Sequence, residues 1–245
     1  MRLTTPAIVV ALRTHGEHGA VVRLLTPDHG LQPAYVRGAR GRRMRAVLVA
    51  GNQVEASLSA RSDGHLAQAE VELVASRAPL RAEPLPAAAI DWVCALTATA
   101  VPEAQPYPRL SQALDGLLAA IAAAPAASGW GAALVRYELL LLAEMGYGLD
   151  LASCAASGAI TDLVAVSPRS GQAVSAAAAA PLAGKLLPLP GFLLAGGAGE
   201  WGEILDGLAL TGHFIARDLL TDRAAAVLAA RERLIDRLRR AAGCA

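Results

Sequence analysis

Val54–Val74 reads VEASLSARSDGHLAQAEVELV, and this stretch indicates the fold of the front of the chain. On both sides of the turn-like Ser62-Asp63-Gly64, small or apolar side chains alternate with polar ones. A period of two is typical of half-buried strands, and Asp-Gly is a common hairpin turn. We therefore predict two antiparallel strands that place one set of side chains in a core. This set comprises Val54, Ala56, Leu58, Ala67, Ala69, Val71 and Leu73.

Three further strand-like segments precede this pair. The five predicted strands are Ala7–Arg13, Ala20–Leu25, Leu31–Arg37, Val47–Ala60 and Leu66–Val74. The second and third are separated by Thr26-Pro27-Asp28-His29-Gly30, in which Pro and Gly supply the dihedral angles of a turn. Five short strands in about 75 residues predict a closed five-stranded barrel of the OB type. A five-stranded SH3-like barrel is the competing architecture, and the sequence does not separate the two.

Arg37–Arg45, which we call the arginine cluster, reads RGARGRRMR and lies between the third and fourth predicted strands. Five of its nine residues are Arg, and no Asp or Glu occurs between His29 and Val54. Charges this dense repel one another, whereas the planar guanidinium group matches phosphate oxygens well. We predict that this loop binds nucleic-acid phosphate. An acidic protein surface and a solvated loop without a partner are the alternatives.

The candidate DNA-contact residues lie in and beside this cluster. They are Tyr35, Arg37, Arg40, Arg42, Arg43 and Arg45. Tyr35 is the only aromatic residue in the first 80, so base stacking contributes little. Binding is therefore expected to be mainly electrostatic, independent of base sequence and strongly dependent on salt.

Composition and charge divide the chain into a basic front and an acidic remainder. Residues 1–81 carry 11 Arg and 6 acidic residues, whereas residues 82–245 carry 11 basic and 15 acidic residues. With 54% apolar residues the chain can bury a sizeable core, which excludes global disorder. Three widely separated Cys exclude a disulfide scaffold and indicate a reducing compartment. No export signal follows Met1, so we expect a cytoplasmic protein.

After a boundary at Arg77–Pro86 the apolar period becomes helical, which predicts one domain over residues 1–80 and a second over 81–245. The predicted helices are Ala87–Ala100, Arg109–Ala124, Ala132–Met145, Trp201–Leu220 and Arg223–Arg240. Gly116–Val135 is 20 residues without a charge, which is long enough to span a membrane. The turn residues Pro125–Gly131 within it favour two separate helices instead. A membrane-attached scaffold is therefore only a third hypothesis.

Catalytic motifs are absent from the sequence. It contains no P-loop, no GxSxG and no HExxH, and the Gly run at Gly196–Gly199 lacks the Lys-Ser/Thr of a phosphate-binding loop. We therefore predict a protein that is not an enzyme. Apart from DNA binding, the alternative function is a protein–protein adaptor whose arginine cluster docks an acidic partner.

Seven short blocks, spread over residues 5–175, carry a family resemblance. They are Thr5–Val9, Gly16-Glu17, Leu25–Gly30, Val36–Arg40, Tyr137–Leu151, Cys154–Gly158 and Val166–Ser175. In this order they resemble the RecO family of bacterial recombination mediators. The resemblance implies an α+β protein with an N-terminal OB-fold barrel and an all-α helical domain. It also implies binding of single- and double-stranded DNA, annealing of complementary strands, partnership with RecR and the single-strand-binding protein, and loading of RecA on gapped DNA in the nucleoid.

Some members of that family carry a four-Cys zinc module in an insert, which corresponds to residues 149–178 here. The matching positions are Cys154 and Ser157 for the first pair, and Ser175 and Ala178 for the second. Three of the four ligands are therefore missing, and one thiol without a second Cys or His does not hold Zn²⁺. We expect a degenerate zinc-finger-like insert without a metal or another cofactor.

In this family the helical domain docks the acidic, apolar tail of the single-strand-binding protein. The helix predicted over Ala132–Met145 presents Tyr137, with Arg136 beside it as the only basic residue of that region. Arg136 and Tyr137 are therefore the candidate partner-binding residues. The alternative is that Glu138, Glu144 or a helix C-terminus holds Arg136 within the fold.

Overall fold

The structure, a computed structural model, describes residues 2–60, 65–124, 126–220 and 224–243. The chain forms two compact units, Met1–Ala122 and Ala123–Ala245. The first unit thus includes the barrel and residues that follow it, and the predicted domain boundary near residue 80 stays a prediction. The predicted turn Ser62-Asp63-Gly64 and the predicted helix start at Arg223 lie outside the described residues, as does Cys244.

The front of the first unit is a closed five-stranded barrel. Its strands are β1 (Arg2–His15), β2 (Gly19–Thr26), β3 (Gly30–Val36), β4 (Gln53–Ser59) and β5 (Ala67–Ala75). Around the barrel they follow the order β1-β2-β3-β5-β4, with β4 pairing back onto β1 and with β3 and β5 parallel. This order is that of the OB fold. The predicted OB-fold barrel is confirmed, and the SH3-like alternative is wrong.

The predicted alternation places most of the expected side chains in the barrel core. The buried members are Val54, Ala56, Leu58, Ala69 and Val71. Leu73 is instead 42% exposed, because the register between β4 and β5 shifts next to its partner Val54. Such an irregularity disrupts the ladder locally and turns a strand end away from the core.

The fourth strand is shorter than predicted, because the chain before it is helical. Helix α1 (Arg42–Val47) precedes it and β4 begins at Gln53, whereas the pattern placed a strand over Val47–Ala60. The buried side chain of Asn52 caps this helix by donating to two carbonyl groups of its last turn at 3.0 and 2.9 Å. Its Oδ1 accepts from the Arg77 N–H at 2.7 Å. Because this partner lies 25 residues further on, the local pattern did not reveal the helix.

Two helices follow the barrel, α2 (Pro84–Ala100) and α3 (Pro108–Ala123). Each starts at a Pro, whose missing N–H and fixed φ suit the first helical turn. The next helix begins at Gly131, so the uncharged window Gly116–Val135 is interrupted between two helices, as predicted. Among the described residues, no helix has both the length and the apolar character needed to cross a membrane.

The second unit is mainly helical but also contains a small sheet. Its helices are α4 (Gly131–Glu144), α5 (Ala176–Ala179), α6 (Phe192–Ala195), α7 (Trp201–Phe214) and α8 (Ala225–Ala241), with π-helical residues Ile215–Leu219 after α7. Its strands are β6 (Leu163–Val166), β7 (Ala173–Ser175) and β8 (Leu187–Pro188), in the order β7-β6-β8. The expectation of an all-α domain is corrected in this respect. The short apolar runs of the insert pair with each other as strands and so satisfy their backbone hydrogen bonds.

Candidate nucleic-acid interface

The arginine cluster forms a tight turn and a helix. Gly38 has a φ of +66°, and the Gly41 N–H donates to the Gly38 carbonyl at 2.9 Å. Helix α1 begins at the next residue, and the buried side chains of Ala39 and Val47 anchor the segment on the barrel. The arginine cluster is therefore an ordered part of the barrel surface, held by a turn and a helix.

All five arginines of the cluster are exposed. Arg40 Nη1 donates to the backbone carbonyl of Glu17 at 3.0 Å. Within the part of the chain that the structure describes, the other four have no ion pair and no side-chain hydrogen bond. Positive charge that is concentrated and not neutralised produces a local potential that attracts a polyanion.

Other arginines of the first unit have acidic partners. Arg23 Nη2 lies 2.5 Å from Glu103 Oε1, and Arg81 Nη2 lies 2.6 Å from Asp91 Oδ1. Two isolated arginines of this unit are therefore neutralised by carboxylates, whereas none of the five in the cluster has such a partner among the described residues. This contrast favours a ligand for the cluster over the alternative of a solvated loop.

Tyr35 lies at the end of β3, directly before the cluster. Its half-buried ring meets His15 edge-on with a centroid distance of 6.0 Å. A Cβ added to Gly19 would lie 2.2 Å from the Tyr35 hydroxyl oxygen, so the ring covers this glycine. A ring held on the barrel in this way offers little face for stacking. The assignment of Tyr35 and the five arginines to DNA contact stays a prediction.

The sequence pattern missed three charged side chains that the barrel brings next to the cluster. Arg2, Glu70 and Glu72 line a groove of about 640 Å³ together with Arg37 and Arg43. They belong to β1 and β5, which are far from the cluster in sequence but adjacent in space because β4 lies between them. These three residues could have been predicted only from the order of the strands around the barrel.

In the second unit, the predicted partner-binding residues contact other parts of the fold. Arg136 on α4 donates to the carbonyls of Phe192, at 3.0 Å, and Gly197. Its guanidinium carbon lies 5.3 Å from the centroid of the Phe192 ring. These contacts favour the structural alternative for Arg136, with backbone carbonyls in place of acidic side chains. Tyr137 is only 2% exposed, and its assignment to partner binding stays a prediction.

Replacing Arg136 with Ala is expected to lower the free energy of unfolding by about 2 kcal/mol, because two carbonyl groups lose a charged donor. Urea denaturation measures this change. Titration with an acidic, apolar tail peptide then tests the partner assignment on the folded variant. Unchanged stability together with lost peptide binding would show that Arg136 is an anchor for the partner.

A buried ion pair connects α8 to α4. Glu138 is fully buried, and Arg231 donates to its two oxygens from Nε at 3.3 Å and from Nη2 at 3.0 Å. The Thr211 hydroxyl on α7 donates to the same carboxylate. A Cβ at Gly212 would lie 2.2 Å from Arg231 Nη1, so α7 requires glycine there to admit the guanidinium group.

Three of the four positions compared with the zinc module are close together. The Ser175 hydroxyl donates to Cys154 Sγ at 3.4 Å. Hydrogen bonds from the side chains of Ser157 and Ser175 lower the pKa of the Cys154 thiol to about 6. Among the described residues, no group of three or more His, Cys, Asp or Glu side chains is placed to hold a metal ion. The description of the insert as a degenerate zinc module stays a prediction.

The fold and the site define a class of protein: an OB-fold protein whose barrel carries a cationic surface without acidic partners among the described residues, followed by a mainly helical unit. Comparison with known families is more specific. The family model of the N-terminal part of recombination protein O matches residues 1–77, and that of its C-terminal part matches residues 82–224. The chain belongs to the RecO family of DNA repair proteins.

Individual relatives agree over nearly their whole length. The DNA repair protein RecO of Rhodospirillum centenum is 45% identical over 245 residues, which cover 98% of this chain and 96% of that protein. The protein of the same name from Bradyrhizobium sp. strain ORS 278 is 45% identical over 249 residues, covering 98% and 97%. That of Rhodospirillum rubrum is 42% identical over 238 residues, covering 95% and 94%.

Proposed function

We propose that this chain is a recombination mediator in DNA repair. It binds single- and double-stranded DNA, anneals complementary strands and, with RecR, helps to load RecA on gapped DNA coated by the single-strand-binding protein. The observation that carries the DNA-binding part of this proposal is the exposed arginine cluster, which lacks acidic partners among the described residues. Membership of the RecO family supports the role in repair. RecR, RecA and the single-strand-binding protein come from the family resemblance.

Annealing by such a surface is an electrostatic effect. Two complementary strands repel each other through their phosphates, and cations on a protein reduce this repulsion by displacing condensed counterions. A surface that contacts phosphates and not base edges leaves the bases free to pair. The arginine cluster has this character, since Tyr35 is the only Phe, Trp or Tyr in the first 80 residues of the sequence. The proposed role therefore requires no catalytic group and no cofactor, and places the protein in the cytoplasm, on the nucleoid.

An annealing assay tests the proposal. At 50 mM salt the protein is expected to raise the rate at which two complementary oligonucleotides form duplex, and most of this effect should be lost at 300 mM salt because phosphate contacts weaken steeply with salt. The readout is the quenching of a fluorophore on one strand by a group on the other. The variant Arg81→Gln is the control and should raise the annealing rate as the wild type does, since it removes one charge that is already paired with Asp91. Equal rates with and without the protein at low salt would contradict the proposal.

A further inference from the structure

The face that OB folds usually present to oligonucleotides is covered in this protein. That face is formed by the second and third strands. Here Arg23, at the middle of β2, pairs with Glu103 at 2.5 Å, and the Ala104 N–H donates to the Leu31 carbonyl of β3 at 3.0 Å. A Cβ added to Gly30 would lie 1.9 Å from the backbone of residue 105. The segment 98–105 therefore lies on the usual binding face, and a nucleic acid must approach elsewhere.

An open groove lies on another side of the same barrel. It has a volume of about 640 Å³ and is bounded by α1 and by the outer faces of four strands. The strand register places four side chains in one row across its floor: Tyr35 of β3, Gln68 of β5, Ser59 of β4 and Arg2 of β1. Neighbouring strands are about 4.8 Å apart, so this row is about 14 Å long.

Charge is distributed unevenly around the groove. Arg2 stands at one end of the row, and Arg37 and Arg43 of the arginine cluster line the groove as well. The middle of the row is neutral, with the hydroxyl of Ser59 and the amide of Gln68 available as hydrogen-bond donors. A phosphate over this row would therefore meet cations and neutral donors, and no carboxylate of the row itself.

Acidic side chains lie further along β5. Glu70 and Glu72 follow Gln68 at intervals of two residues on the same face, about 7 and 14 Å away. Both are exposed and line the groove, yet within the described residues neither forms an ion pair with Arg37 or Arg43. They are therefore placed to repel a phosphate backbone that extends from the basic part of the groove.

We propose that single-stranded nucleic acid binds in this groove, with Arg2 as a phosphate contact outside the arginine cluster and with Glu70 and Glu72 opposing the bound strand. The row of four side chains, about 14 Å long, is matched in length to a short segment of one strand. The acidic residues keep binding weak enough for a strand to leave, which suits a protein that must release its product. This inference rests on the proposed function, because it assumes that the chain binds DNA.

Binding of a fluorescein-labelled oligothymidine to the full chain tests the basic part of the groove. Arg2→Gln is expected to weaken binding by about two- to fivefold, the effect of losing one exposed ion pair. It should also make the log–log salt dependence shallower by about 0.7. Arg81→Gln is the matched control, since it removes the same charge from the same unit outside the groove.

The acidic part gives an independent test with the opposite sign. The double variant Glu70→Gln, Glu72→Gln is expected to tighten binding by about two- to fivefold, because repulsion of the phosphates is removed. Asp28→Asn, Glu83→Gln is the control, since it changes the net charge equally at exposed positions away from the groove. Circular dichroism verifies that all variants are folded.

The inference is overturned if Arg2→Gln behaves as Arg81→Gln, or if the Glu70, Glu72 variant binds no more tightly than its control. The result with the cluster variant Arg40→Ala, Arg42→Ala, Arg43→Ala then separates two cases. Weakened binding by that variant would leave the proposed function standing and show that the strand contacts the arginine cluster without reaching Arg2, Glu70 and Glu72. If neither Arg2→Gln nor the cluster variant changes DNA binding, the assignment of the arginine cluster to DNA binding is wrong as well.

Discussion

Simultaneous replacement of Arg40, Arg42 and Arg43 by Ala is expected to weaken binding of single-stranded DNA by about 10- to 100-fold at low salt. If the wild-type chain neutralises about four to five phosphates, its log–log salt slope should lie near −3 to −3.5, at about −0.7 per phosphate. The triple variant should have a slope shallower by about two units. Filter binding or fluorescence anisotropy at several salt concentrations measures both quantities.

The physical reason for this effect is that the three guanidinium groups are exposed and concentrated on one short segment. Their removal is expected to leave the fold intact. Among the described residues, Arg40 is the only one of the three whose side chain makes a hydrogen bond, to the Glu17 carbonyl, and Ala favours helix α1. A second triple variant, Arg81→Ala, Arg169→Ala, Arg239→Ala, removes the same charge from other exposed positions. It is expected to bind DNA nearly as the wild type does.

Two outcomes would contradict the assignment of the cluster. If both triple variants lose affinity equally, the effect comes from net charge and not from a specific surface. If the cluster variant keeps the wild-type affinity and slope, the arginines do not contact DNA. The adaptor hypothesis, in which they dock an acidic protein, would then become the preferred reading.

Replacing Arg231 with Met is expected to lower the free energy of unfolding of the second unit by about 3–5 kcal/mol. Removing one partner of a buried ion pair leaves the other charge without compensation. Here that charge is on Glu138, which is fully buried and accepts a hydrogen bond from the neutral Thr211 hydroxyl, which does not replace the lost cation. Denaturation by guanidinium chloride, followed by far-ultraviolet circular dichroism, measures the loss.

The same helix supplies a matched control. Arg239 lies 4.0 Å from Asp236, and both side chains are more than half exposed. Arg239→Met should therefore change stability by no more than about 1 kcal/mol. Combining Arg231→Met with Glu138→Gln should recover part of the loss, because the unpaired charge is then gone. Equal effects of Arg231→Met and Arg239→Met would show that the pair does not hold α8 in place.

Periodicity and charge density were sufficient to predict much of this protein. Alternation of side chains predicted the barrel strands, because a strand with one buried face must repeat every two residues. Helical spacing predicted the four helices α2, α3, α4 and α7. Most of the predicted helix ends lie within a few residues of the observed ones. The exposure of the arginine cluster also followed from the sequence, since five like charges within nine residues cannot be buried without partners.

Only the tertiary structure decided which distant residues meet. Helix α1 depends on Asn52, which is itself hydrogen-bonded to Arg77, so the local pattern predicted a loop over Arg37–Arg45 and a strand from Val47 instead. The groove combines Arg2, the arginine cluster and Glu70 because the barrel places β4 between β1 and β5.

The charged residues of the second unit illustrate the same distinction. Arg136 and Arg231 look alike in the sequence, as cations on amphipathic helices. The fold directs one to the carbonyls of Phe192 and Gly197, and the other to Glu138, 93 residues away. The spacing of apolar residues along a helix or strand shows which face of that element is buried, because its side chains return to the same face at a fixed interval. The partner of a buried charge depends on how elements pack, and no local repeat encodes that.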